Sequence, residues 1–207
     1  MSEIQVDTVS EKTAASGVTV DGVVVKDSGL TIPSGGTLTV ASGGTLANSG
    51  TVTGIGLFSS YAIIADQKTQ NTAGGTFTLG AWRERDLQTE LADPDGIVSI
   101  ASNRFTLAAG TYLIRWVCPS NQVQNSQSRL YNVTDAAEVG VSNTNVTYVG
   151  GYASGSIVSG AARTTIAAEK TFSIEHQCDR TFATSGFGAA ANFGTEQYTT
   201  VEIFKET

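Results

Sequence analysis

The sequence predicts an all-β protein: a short repetitive trimeric β-stem followed by a jelly-roll β-sandwich head. Three observations lead there. Charged residues make up 15% of the 207 positions and hydrophobic ones 40%, while Gly occurs 23 times. Low charge with abundant Gly, Thr and Val suits extended segments joined by tight turns, and argues against a helical bundle. Apolar residues alternate with polar ones in many short runs, with no convincing helical period. Turn residues separate the runs at close intervals.

The leading segment, residues 1–57, has no aromatic residue and no Cys; every Trp, Tyr, Cys and Phe follows, starting with Phe58. This change of texture sets two domains, 1–57 and 58–207, with "TGIGLFSS" as the joint. In the first, "GVTVDGVVVKDSGLTI" reads as two or three brief strands broken at Asp21-Gly22 and Asp27-Ser28-Gly29. A short repeat follows. Leu30, Leu38 and Leu46 recur every eight residues, "SGGTL" occurs at 34–38 and 42–46, and a degraded copy "SGTV" at 49–52. Stacked β units of this size cannot enclose a core when only about three are present. Three chains wound about one axis would bring each Leu against its symmetry mates, and Gly would permit the close backbone approach. A flexible Gly/Ser linker is the competing reading. Regularly spaced Leu, with Thr and Val between the glycines, counts against it.

The second region is a succession of strand patterns: 61–65, 75–82, 96–100, 104–107, 110–118, 128–134, 146–158, 170–178 and 198–206. Turns are expected at Asp93-Pro94-Asp95-Gly96, Ser102-Asn103, Ala109-Gly110 and Cys118-Pro119-Ser120-Asn121. So many strands in about 150 residues point to a jelly roll. Tyr112, Ile114, Trp116 and Cys118 share one strand face, as do Phe172, Ile174, His176 and Cys178. In 199–204, Val201 and Ile203 alternate with Glu202 and Phe204, so neither side is plainly wet. Such a strand fits a sheet that also packs against neighbouring subunits.

Particular stretches carry a resemblance. "VDTVSEKTAASGVTVDGVVVKDSGL" (6–30) resembles a segment of bacteriophage tail-fibre and related virion proteins. "ADQKTQNTAGGTFTLGAWRERDLQTE", "RLYNVTD", "KTFSIEHQC" and "GFGAAANFG" are similar to a phage C-terminal module of the tumour-necrosis-factor and complement-head type. The resemblance implies a homotrimer whose N-terminal stem attaches to another virion protein and whose head faces outward. The implied function is a non-enzymatic virion structural protein, a trimeric fibre or appendage whose head mediates host-surface attachment. A capsid head fibre, decoration protein or fibre adaptor with a purely structural role is the alternative.

Composition narrows the partners. A net charge of −7 argues against nucleic-acid binding, which needs clustered Lys and Arg. No apolar run approaches a membrane span, so no membrane insertion is expected. The acidic N-terminus "MSEIQVDTVSEK" lacks a secretory pattern, so the expected route is synthesis in the host cytoplasm and assembly into the virion. Cys118 and Cys178 read as free buried thiols.

No catalytic, cofactor-binding or metal residue is assigned, and no cofactor is expected. His176, the single histidine, falls on an apolar strand face. A metal site with Cys178 and Cys118, or a Cys–His nucleophile, is the sharper but less favoured reading. Glu84, Asp86, Glu90, Asp93 and Asp95 form the densest acidic cluster, yet Arg83 and Arg85 interleave with them and suggest ion pairing across strands or subunits. A calcium loop at Asp93 and Asp95 yields to a plain turn. Asn132-Val-Thr and Asn145-Val-Thr match a glycosylation sequon but read as strand ends. Small residues in "GFGAAANFG" (186–194) suit a close approach of strands or subunits. Contacts with a host cell-surface glycan or protein are expected on head loops 119–128, 142–155 and 179–186, rich in amides, hydroxyls and aromatics.

Overall fold

The computed structural model describes residues 57–147 and 154–206, with Thr39, Ser42 and Gly44 as isolated positions. The chain divides into two units, Met1–Thr51 and Val52–Thr207, and the fold described here belongs to the second. The expected stem repeats lie outside the described residues, those isolated positions aside.

Twelve strands follow in order: β1 Phe58–Lys68, β2 Arg83–Glu84, β3 Thr89–Ala92, β4 Val98–Ala101, β5 Arg104–Leu107, β6 Gly110–Asn121, β7 Asn125–Asn132, β8 Ala137–Val141, β9 Asn145–Val146, β10 Gly155–Ile166, β11 Lys170–Cys178 and β12 Glu196–Glu206. They form two antiparallel sheets. One runs β10-β6-β12-β1-β3; the other runs β4-β5-β11-β7-β8, with β2 also on β11 and β9 also on β7. The chain passes repeatedly from one sheet to the other, so strands adjacent in a sheet are distant in sequence. That is the jelly-roll arrangement. No helix occurs among the described residues.

Period-two alternation builds the core between the sheets. Tyr112, Ile114, Trp116 and Cys118 of β6 point inward, joined by Val201 and Ile203 of β12, Ile64 of β1, Phe105 of β5, Leu130 of β7, and Phe172 and Ile174 of β11. Phe105 and Phe172 stack with ring centres 5.6 Å apart. Each such fully buried side chain contributes about 1.5–3 kcal/mol relative to exposure. Trp116 ties the layers together, its indole N–H donating to Ser128 Oγ on β7 at 2.9 Å. The ring fits because β10 presents Gly160 opposite it, where a Cβ would lie 2.1 Å from the indole.

Two expectations fail. The run 75–82 is not a strand: Gly75 and Gly80 take left-handed φ of 105° and 89°, leaving one isolated bridge between Phe77 and Phe182. The turn expected at Cys118–Asn121 is absent, since β6 continues through Pro119, opposite Ile157 of β10. Pairing of β12 with β6 ends at Val117, so the proline lies where β6 has a single neighbour and its missing N–H costs no ladder bond.

Candidate functional site

Described residues from each of the three expected contact stretches meet in one place, while residues 148–153 of the second lie outside the described residues. Asn125 and Gln127 from the first, Thr144 from the second and Asp179 from the third line a cleft of about 230 Å³, together with Trp82 and Gln177. The sheet brings them together: Gln177 of β11 pairs with Gln127 of β7, while Asn125 pairs with Val146 of β9. The rim is held by short bonds. Asn125 Nδ2 donates to Asp179 Oδ2 at 2.7 Å, and Gln127 Nε2 donates to Ser142 O at 3.1 Å. Val123 N donates to Thr147 Oγ1 at 2.8 Å, fixing a loop in which Gln122 and Gln124 both take left-handed φ.

Trp82 is positioned by a stack. The Arg129 guanidinium lies 4.3 Å from the Trp82 ring centre and 4.5 Å from that of Tyr131. Glu175 pins it from β11, accepting from Arg129 Nε at 2.7 Å and Nη2 at 2.6 Å. The side-chain amide of Gln177, the hydroxyl of Thr144 and the indole N–H of Trp82 have no hydrogen-bond partner within the described chain. Sequence reasoning found the loops but missed Trp82, which it had placed in a strand.

The outer face of the five-stranded sheet is of another kind. One row runs Arg163, Leu113, Phe204 and Tyr61 across β10, β6, β12 and β1. Phe58 packs on Phe204 with ring centres 5.1 Å apart. Tyr61, Val117 and Ile157 are 44%, 39% and 58% exposed, an apolar content unusual for a solvated sheet face. Arg115 faces Glu202 at 3.4 Å, and Arg163 grips Glu206 with two 2.7 Å bonds.

Beneath both faces lies a buried polar centre. His176 is wholly buried against Phe77, ring centres 4.7 Å apart, and neither ring nitrogen has a hydrogen-bond partner. Burial, with Arg85 nearby, holds its pKa well below the usual range, so it sits there neutral. The Arg85 guanidinium is buried too; Nε donates to Thr199 Oγ1 at 2.7 Å, Nη2 to Phe187 O at 2.9 Å, and Phe187's ring lies 4.2 Å away. Both cysteines are free and buried. Cys118 belongs to the main core and Cys178 to a separate cluster with Phe77 and Val123. Burial pushes the Cys178 thiol up to about 11. Among the described residues no group of three His, Cys, Asp or Glu could hold a metal ion.

The acidic cluster is dispersed into local roles. Glu84 pairs with Arg104 on β5 at 2.5 Å, and Asp86 with Lys68 on β1 at 2.7 Å. These acids thus pair across strands, as the sequence suggested, while Arg83 and Arg85 themselves donate to backbone carbonyls and Thr199. Asp93 accepts from Ile97 N and Val98 N, both at 2.9 Å, and so closes the turn into β4. Glu90 is exposed on β3. Asn132 ends β7 and Asn145 opens β9, each bonded locally. Within 186–194, Gly188 lies against Tyr198, where a Cβ would be 2.2 Å from the ring. Glu196 accepts from Ala191 N and Asn192 N, which lowers its pKa.

No protein-family model matches the chain, and no curated protein matches it. Solved structures do resemble it. The globular domain of zebrafish complement 1qA is 14% identical, covering 70% of this chain and 95% of that one, with a TM-score of 0.44. Murine APRIL at pH 8.0 gives 8%, 70%, 98% and 0.46. Eiger TNF from S. frugiperda gives 10%, 72%, 94% and 0.48. The described unit is classed by its own strand order, as a two-sheet jelly-roll sandwich.

Proposed function

We propose that this chain is a non-enzymatic virion appendage protein, a homotrimer whose jelly-roll head attaches to the host cell surface. The observation that carries the reading is the apolar outer face of the five-stranded sheet. A sandwich with a complete core of its own has no internal use for exposed Tyr61, Val117 and Ile157 beside Phe204 and Leu113. Copies of the same chain are the occupant that also satisfies the Leu repeat upstream, which needs three chains to close an interior. The resemblance of residues 6–30 to phage virion segments supports a stem held by another virion protein. It equally supports a position on the particle after synthesis in the host cytoplasm.

The loops that meet around Trp82 supply the surface contact, and three copies on one body raise effective affinity without any new contact. A binding role, with no cofactor, suits side chains committed to structure: Glu84 and Asp86 paired, Asp93 closing a turn, His176 neutral and enclosed. Sedimentation of the full chain at micromolar concentration tests assembly, with a trimer expected; a compact monomer overturns it. Competition of purified protein against particle adsorption tests attachment. Normal adsorption by particles lacking residues 58–207, with loss of particle integrity, would instead establish the purely structural role.

A further inference from the structure

We infer that the Trp82 cleft is a binding site for a neutral saccharide ring; the inference rests on the head being a surface-binding module. Four features carry it. The cleft, at about 230 Å³, falls below the ~300–1,000 Å³ of sites that enclose cofactors, and suits one small polar ring. Trp82 borders it as an aromatic with a polar handle, the side chain that can meet both the C–H surface and a hydroxyl of a sugar. The ring arrives already oriented by Arg129, whose own geometry Glu175 fixes, so little ordering entropy remains to be lost on binding.

The fourth feature is the inventory of uncommitted groups. Gln177 offers an amide donor and acceptor, Thr144 a hydroxyl and Trp82 an N–H, none of them engaged within the described chain. These match the alternating donor and acceptor demands of vicinal hydroxyls. Charge selects the ligand further. Asp179 is the one ionisable acid on the rim, no Lys or Arg lines the cleft, and the whole chain carries −7. An anionic sugar or a phosphate would meet the Asp179 carboxylate with no Lys or Arg in the lining to pair it, since Arg129 behind Trp82 is already committed to Glu175.

The test uses the full chain and its own fluorescence. Of the two tryptophans, Trp116 is buried and bonded in the core, so ligand-dependent emission reports Trp82. The probes are the methyl glycosides of glucose, galactose, mannose and N-acetylglucosamine, with methyl glucuronide as the anionic counterpart. At least one neutral probe should give a saturable change in emission. Half-saturation should weaken about tenfold or more in Gln177→Ala, whose loss removes a rim amide and no core contact. The glucuronide should bind about tenfold more weakly than the glucoside. Trp82→Ala, followed by calorimetry with unchanged Trp116 emission as the folding control, should abolish binding. The inference is overturned if no neutral probe acts up to about 100 mM, if Gln177→Ala binds as the parent does, or if the glucuronide binds best. Protein that sediments as a trimer and blocks adsorption yet ignores every sugar would leave attachment standing and remove only the saccharide.

Discussion

The two outer faces of the sandwich solve opposite problems. On the seven-stranded sheet the central ion pair is sheltered: Arg129 lies against two rings and clamps Glu175, which is 11% exposed at its side chain. On the five-stranded sheet, Arg115 and Glu202 meet at 3.4 Å with side chains 61% and 40% exposed, among uncovered aromatic and aliphatic residues. A sheltered pair stacked on rings belongs to a finished surface, whereas an apolar face that leaves a pair such as Arg115–Glu202 exposed is one that a partner can finish. The first face holds the small cleft, and the second is the face proposed for assembly.

The sharpest way to break that contrast is to charge each face in turn. Tyr61→Glu with Leu113→Glu puts two carboxylates into the apolar row beside Phe204. Sedimentation should show the trimer lost altogether, because an unpaired charge cannot be enclosed between copies. Gln177→Glu, on β11 of the other sheet, should leave the trimer intact. Dissociation by Gln177→Glu alone would reverse the assignment of faces.

Next in size is the device that locks the sheets beneath both faces. Gly160→Ala places a methyl group on the Trp116 indole, and the loss should be about 1–3 kcal/mol or more, read as a lowered denaturation midpoint with both faces affected together. This also shows what the sequence reveals and what it conceals. β5 and β11 appear in it residue for residue, because Phe105 and Leu107, and Phe172 and Ile174, alternate cleanly. The second half of β10, "GAARTTI", does not, since the bulk of Trp116 opposite demands small residues there and removes the hydrophobic signal. β2, at two residues, is too short to show a period. Arg85 was unreadable as an interior residue because a guanidinium is almost never fully buried. Trp82 acquires its role from Arg129, 47 positions away in the sequence, a contact no local pattern encodes.

Acid should act on the shared interior before it acts on either surface. The unfolded chain protonates His176 near pH 6.5, while the folded state resists because burial and Arg85 depress the pKa. Stability is therefore full above pH 6.5. It falls as pH drops from there toward the depressed folded value, by up to about 1.4 kcal/mol per pH unit. Denaturation midpoints at pH 7.5 and 5.0 should differ, and His176→Phe, which keeps the ring against Phe77, should flatten the difference. An equal slope in that variant would assign acid sensitivity to other groups.

The smallest effect resolves the faces most finely. Double-mutant cycles on Arg129–Glu175 and Arg115–Glu202 compare one ion pair of each kind. The first should couple at about 1.5–3 kcal/mol, as a charged and sheltered hydrogen bond does, with equal strength in the parent and in the Tyr61→Glu, Leu113→Glu monomer. The second should couple below about 1 kcal/mol in that monomer and fade with added salt, as exposed pairs do. If copies of the chain cover Leu113, Phe204 and Tyr61 as proposed, they also exclude water from this pair, and in the parent its coupling should rise and lose its salt dependence. Equal coupling of Arg115–Glu202 in both backgrounds would mean that this face stays wet, and the trimer would then have to be held by the stem alone.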